Sequence, residues 1–143
     1  MRLGGYAMTA TVRLSGRSLI RGCVLAVDDD PDAREIYSRH LRAAGLTVFS
    51  ADSAHGCFEL IERERIDLVL LDVMMPEMDG LKTLCLIKKN AKTRDIPIII
   101  VTVLDDAMVL AKALELGAEE CLIKPVFKRQ LLKAVRAHIS TNA

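Results

Sequence analysis

A chain of 143 residues with a 51% apolar fraction is sized for one domain with an ample core, and a formal charge of +1 lacks the basic excess of most nucleic-acid binders. Aromatics are scarce and Trp is absent, so that core must be aliphatic, and no apolar run approaches the ~18 residues of a membrane span. Neither a nucleic acid nor a membrane is therefore an expected partner.

Residues 1–21 hold Arg2, Arg13, Arg17 and Arg21 and no acid, a local +4 that leaves −3 on the remainder. Three glycines and scattered Ser and Thr without periodicity predict a flexible basic leader here, and no continuous apolar segment marks a signal peptide. Order is expected from residue 22 to 141. The run Cys23–Val27 predicts a buried strand ending in Asp28-Asp29-Asp30-Pro31, with Asp30 as N-cap and Pro31 at the first helical position. Ala33, Ile36, Tyr37, His40, Leu41 and Ala44 then recur at helical spacing, and Gly45 ends the helix.

A second strand is expected over 46–50, and Asp52 or Ser53 caps a helix with Ala54, Cys57, Phe58 and Ile61 inward. The four apolar residues Leu68–Leu71 do not alternate, which is the habit of a strand buried on both faces. They end on Asp72, followed by Met-Met-Pro and an Asp79-Gly80 turn. A helix over 81–90, a strand over 96–102 and a helix capped by Asp105 and running to Leu116 come next. In that last helix Ala107, Leu110, Ala111 and Leu114 suffice for a core stripe, while Met108, Val109, Ala113 and Leu116 spill onto adjoining faces. A strand over 119–123 precedes Lys124-Pro125 and a final helix with Phe127, Leu131, Leu132, Val135 and Ile139 on one face.

Five uniformly apolar strands alternating with five helices predict an α/β fold, a doubly wound parallel sheet with right-handed crossovers. All strand C-terminal ends then share one edge, where such folds keep their ligands. That edge collects Asp28 and Asp29, Asp72, Thr102 and Lys124. Two carboxylates about 4 Å apart at an effective dielectric near 20 repel by roughly 4 kcal/mol, so three converging acids need a cation. Oxygen-only ligation favours a hard ion, Mg²⁺ or Mn²⁺. FMN is disfavoured, because Asp28-Asp29-Asp30 would repel its phosphate, and no glycine-rich phosphate loop is present. The parts fit a carboxylate nucleophile attacking a phosphoryl group, with the cation and Lys124 on the phosphoryl oxygens and the Thr102 hydroxyl adding a hydrogen bond.

The segments Val-Asp28-Asp29-Asp-Pro, Leu-Leu-Asp72-Val-Met-Met-Pro-Glu-Met-Asp-Gly80, Pro-Ile-Ile-Ile-Val-Thr102 and Gly-Ala-Glu-Glu-Cys-Leu-Ile-Lys124-Pro125 together resemble the receiver domain of two-component response regulators. The likeness spans about residues 22–140 with the motifs in order. It implies a flavodoxin-like sheet of order 2-1-3-4-5 and a phosphoaspartate at Asp72, with Thr102 and Lys124 assisting. It implies Mg²⁺ held by Asp29, Asp72 and the Met74 carbonyl, with Asp28 helping through water. The donor it implies is a histidine kinase or histidine phosphotransfer protein. The chain is not expected to be an enzyme beyond promoting its own aspartyl phosphorylation and dephosphorylation.

Four positions depart from the family pattern. Cys121 stands where an aromatic ring is usual, three residues before the lysine, and Val103 follows Thr102 where a small residue is usual. Met74 and Leu104 are both apolar at sites flanking the path of the hydrolytic water, so they are expected to exclude water and lengthen the phosphoryl lifetime. The four cysteines, Cys23, Cys57, Cys85 and Cys121, form no C-x-x-C pair and read as small buried hydrophobes, which suits a cytoplasmic protein.

With the chain ending at Ala143, output is expected through phosphorylation-dependent protein binding or self-association on the 105–127 face, the family's usual output face. Two rivals remain: a receiver-fold interaction module that has abandoned phosphorylation, and an aspartyl-nucleophile phosphohydrolase resembling the haloacid dehalogenase group. The second lacks its D-x-D acid, since Met74 occupies that place.

Overall fold

The computed structural model describes residues 19–75, 78–103 and 105–139. Strands β1 (Cys23–Val27), β2 (Thr47–Ala51), β3 (Leu68–Leu71), β4 (Ile98–Thr102) and β5 (Glu120–Ile123) form one sheet in the order β2-β1-β3-β4-β5. Every neighbouring pair is parallel. Helices α1 (Pro31–Ala43), α2 (Ala54–Arg63), α3 (Gly80–Lys89), α4 (Ala107–Glu115) and α5 (Lys128–His138) cover both faces. The doubly wound arrangement of order 2-1-3-4-5 is therefore present as expected.

Uniformly apolar strands are required because each strand feeds two cores. Val24, Ala26, Leu68, Leu70, Ile99 and Val101 pack under α1 and α5, against Tyr37, Leu41, Leu131 and Val135. Their alternate neighbours Leu25, Val27, Val69, Leu71, Ile98 and Ile100 pack under α2, α3 and α4, against Cys57, Leu84, Ile87 and Ala113. Each such Leu or Ile, fully buried, contributes roughly 1.5–3 kcal/mol, and strand pleating splits that gain between the layers.

Local chemistry sets the helix starts. The Asp30 carboxylate accepts from the Asp32 amide at 2.9 Å, with Pro31 at the first helical position. Of the two candidates for α2 the cap is Ser53, whose Oγ accepts from the Gly56 amide at 3.1 Å. For α4 the cap is Asp106 rather than Asp105, its Oδ1 accepting from Met108 at 2.9 Å and Val109 at 3.4 Å.

That one-residue shift goes with a rotated α4. Ala113 is its one buried residue, with Val109, Leu110 and Leu116 half-buried. Ala107, Ala111 and Leu114, expected inside, lie exposed, and Met108 beside them is 83% exposed. An apolar run on nearly all faces carries no phase information, so the stripe could not be oriented from spacing alone.

Smaller corrections follow the same logic. Phe127 is the N-cap residue of α5 and is 69% exposed, because the inner face of that helix begins with Leu131 and includes Ala134. Ile36 is exposed on α1, and Ser38 takes an inner position. The expected leader is too long at its end: Ile20 packs into the core, its amide donating to the Ala44 carbonyl at 2.7 Å. Residues 1–18 lie outside the described residues. Of the cysteines only Cys57 is fully buried, the other three being half-buried free thiols.

Candidate phosphorylation site

The site is built where the parallel ladder runs past the strand ends. The Asp28 amide donates to the Ala51 carbonyl at 3.1 Å and the Asp72 amide to Val27 at 3.0 Å. The Lys124 amide donates to the Thr102 carbonyl at 2.8 Å. Each functional residue thus continues the hydrogen bonding of the strand before it, so sheet register fixes the mutual positions of side chains distant in sequence. Asp28, Asp72 and Thr102 are buried, while Asp29 is exposed at the rim.

Lys124 joins the acids. Its Nζ donates to Asp28 Oδ2 at 2.6 Å and to Asp72 Oδ2 at 3.0 Å. The other oxygen of each acid is held by the loop that follows it, Asp28 Oδ1 by the Asp30 amide at 2.9 Å and Asp72 Oδ1 by the Met74 amide at 2.8 Å. Asp28, Asp29 and Asp72 each offer a carboxylate oxygen, all within 4.8 Å of one another. Three acids against one lysine leave a net negative pocket of hard oxygen donors. That donor set fits a divalent cation such as Mg²⁺.

Electrostatics agree with this shortfall of positive charge. Burial pushes the Asp28 carboxyl above its ordinary pKa, with the Asp72 charge adding, although Lys124 and the Asp30 N–H pull the other way. Burial also disfavours the Lys124 ammonium, but its hydrogen bonds and charge interactions with both acids outweigh that and hold its pKa above the usual lysine value.

The loop after Asp72 is shaped by a close approach. Met74–Met75 and Met78–Asp79 pair as a two-residue antiparallel ribbon, which folds the loop back on itself. A Cβ on Gly80 would collide with the Val73 backbone, so only glycine lets α3 start there. The peptide before Pro125 is cis. Neither the ribbon nor that cis bond was legible in the residue pattern.

The chain fits the model of the response regulator receiver domain over residues 24–136. It belongs to that family. Receiver domains of two-component systems accept a phosphoryl group from histidine kinases, and this chain is of the phosphorylation-accepting kind. It is 38% identical to "Probable transcriptional regulator ycf27" of Cyanidium caldarium over 76% of this chain and 42% of that protein. It is 36% identical to "Response regulator MprA" of Mycobacterium leprae over 80% of this chain and 49% of that protein. The chain spans about half the length of these curated relatives.

Among solved structures, the chemotaxis protein CheY4 of Vibrio cholerae superposes with a TM-score of 0.79 at 27% identity, covering 84% of this chain and all of that one. A CheY-like receiver domain protein of Methanospirillum hungatei gives 0.75 at 30% identity, covering 84% and 93%.

The receiver site thus brings together Asp28, Asp29, Asp72 and Lys124, with Thr102 paired to Ile123 beside the lysine. Of the unusual residues, Val103 is 60% exposed and Met74 is 49% exposed at the mouth of the site, while Leu104 lies outside the described residues. The Cys121 Sγ lies 4.0 Å from the Leu110 carbonyl, between β5 and α4. Burial and then the Glu120 charge raise its thiol pKa, which opposes a reactive thiolate.

Proposed function

We propose that Asp72 is the phosphoacceptor of a Mg²⁺-dependent receiver whose output is phosphorylation-dependent protein binding. The observation that carries this is the Lys124 ammonium shared between Asp28 and Asp72 at 2.6 and 3.0 Å, with Asp29 completing a three-acid cluster. Asp29 and Asp72 would hold the cation, with the Met74 carbonyl as a further oxygen donor and Asp28 assisting, and Mn²⁺ would suit the same donors. When bound, the cation supplies charge neutralisation for the incoming phosphoryl oxygens.

An Asp72 carboxylate oxygen forms the new bond to phosphorus as the phosphorus–nitrogen bond to the donor imidazole breaks, the electron pair leaving on nitrogen. Hydrogen bonds to Asp28 and Asp72 favour the charged form of Lys124. It can exchange its bond to Asp72 for one to a phosphoryl oxygen. The Thr102 hydroxyl serves as a hydrogen-bond donor to that group. The donor is a histidine kinase or a histidine phosphotransfer protein, and the site is expected to work in the cytoplasm. Beyond promoting its own phosphorylation and dephosphorylation, the domain is not an enzyme. The exposed residues Met108 and Leu114 of α4, with Phe127, form the face for a downstream protein or a second copy.

Incubation with Mg²⁺ and acetyl phosphate followed by intact mass tests the reading. One added phosphoryl group, absent in Asp72→Asn and without Mg²⁺, is the expected result. No adduct would favour an interaction module independent of phosphorylation, and rapid multiple turnover a phosphohydrolase.

A further inference from the structure

Arg34 lies outside the acid–lysine constellation, yet its guanidinium reaches back along α1 to the β1 loop. Its Nη1 donates to the Asp28 carbonyl at 2.5 Å. No carboxylate pairs with it among the described residues, although Asp52 and Glu59 line the same cavity of about 420 Å³ that it borders. A half-buried arginine that takes a backbone carbonyl rather than a neighbouring carboxylate is holding a peptide plane, not balancing a charge.

The plane it holds is the one between Asp28 and Asp29. Asp28 is otherwise fixed through its amide to Ala51, its Oδ1 to the Asp30 amide and its Oδ2 to Lys124. Asp29 has no such support. It is exposed, and among the described residues its carboxylate has no hydrogen bond or ion pair. Its direction therefore depends on the backbone torsions on either side of the Asp28–Asp29 peptide. The Arg34 bond is the contact that clamps the carbonyl end of that peptide.

We propose that Arg34 is a positioning residue that aims Asp29 into the three-acid cluster by clamping the Asp28 carbonyl. This rests on the cation-binding reading of Asp28, Asp29 and Asp72. Partners behind a ligand that orient it typically govern about 10–100-fold in metal affinity. Placement and charge act here with opposite signs. Removing the guanidinium takes a positive charge away from the acids and by itself tightens cation binding; loss of aim weakens it.

Arg34→Met and Arg34→Lys in the full chain separate the two. In metal-free protein, the Asp28 carbonyl and Asp29 amide resonances are expected to shift and the Asp29 amide to exchange faster in both variants, with the rest of the spectrum retained. In calorimetric titration with Mg²⁺, binding weakens about tenfold in both, even though Arg34→Met removes a like charge. Unchanged Asp29 resonances in the metal-free variants would overturn the proposal whether or not the parent binds Mg²⁺. Tighter or unchanged Mg²⁺ binding in Arg34→Met would overturn it as well. Failure of the parent to bind Mg²⁺ would instead count against the cation site, leaving the metal-free spectra to decide Arg34.

Discussion

The two edges of the sheet each carry a lysine bound to acid, and they use it differently. At the C-terminal edge Lys124 is divided between two buried carboxylates, with Asp29 left over. At the opposite edge the Lys88 Nζ donates to the carbonyls of Ile96 at 2.8 Å and Arg94 at 3.2 Å and lies 3.5 Å from Glu119 Oε2. Glu119 Oε1 accepts the Ile98 amide at 2.7 Å, and the Lys88 stem packs against Gly117, whose φ of 115° admits glycine and little else. Every polar atom of that second cluster has a partner, so it staples the loops entering β4 and β5. A cluster with charge in surplus is poised to bind something; one with its donors and acceptors matched is only structural.

Removing each lysine gives the sharpest contrast. Lys124→Met is expected to slow phosphorylation by acetyl phosphate by about 100-fold or more, the usual loss on deleting one preorganised donor to a developing charge. It also leaves two buried acids facing each other, at a cost of ~3 kcal/mol in metal-free urea unfolding at neutral pH. Lys88→Met is expected to cost ~1–3 kcal/mol through orphaned carbonyls, with the phosphorylation rate at saturating Mg²⁺ unchanged. Equal effects of the two variants on phosphorylation would break the distinction between the edges.

The distinction extends to pH, because burial raises the pKa of Asp28 at the C-terminal edge. The folded-state value of Asp28 lies above its unfolded value, so its contribution to stability is fully present below the ordinary aspartate range near 4 and is lost as pH rises through the raised value. Metal-free protein in urea at a series of pH values should therefore lose stability on that rise, and Asp28→Asn should lose less. The opposite dependence would mean that Lys124 dominates Asp28.

What could be read from residues divides along the same physical line. The three inner strands were legible because both faces of each are apolar, and the acids and Lys124 because they follow strand ends. Arg34 was missed, although an arginine one helical turn past a capping aspartate is a detectable sign of a side chain folding back onto the loop. Lys88 and Glu119 are 31 residues apart, and no local period joins them. The face of α4 was misassigned because Ala107, Ala111 and Leu114 are as apolar as the residues actually buried. Only packing against β5 selects among such faces.

The mouth of the site offers the smallest expected effect and the closest look at why this edge stays open. The Met74 amide holds Asp72 Oδ1, and its side chain is half-exposed two residues past that buried carboxylate. A thioether there offers an attacking water only weak hydrogen bonding, whereas an amide would bind and orient it. Once phosphorylated, Met74→Asn is expected to lose phosphate faster than the parent in Mg²⁺, by a factor under about tenfold, since a single added hydrogen bond is worth about 1 kcal/mol. The decay is followed by intact mass after removal of acetyl phosphate. A slower decay in the variant would mean that the methionine does not shield Asp72.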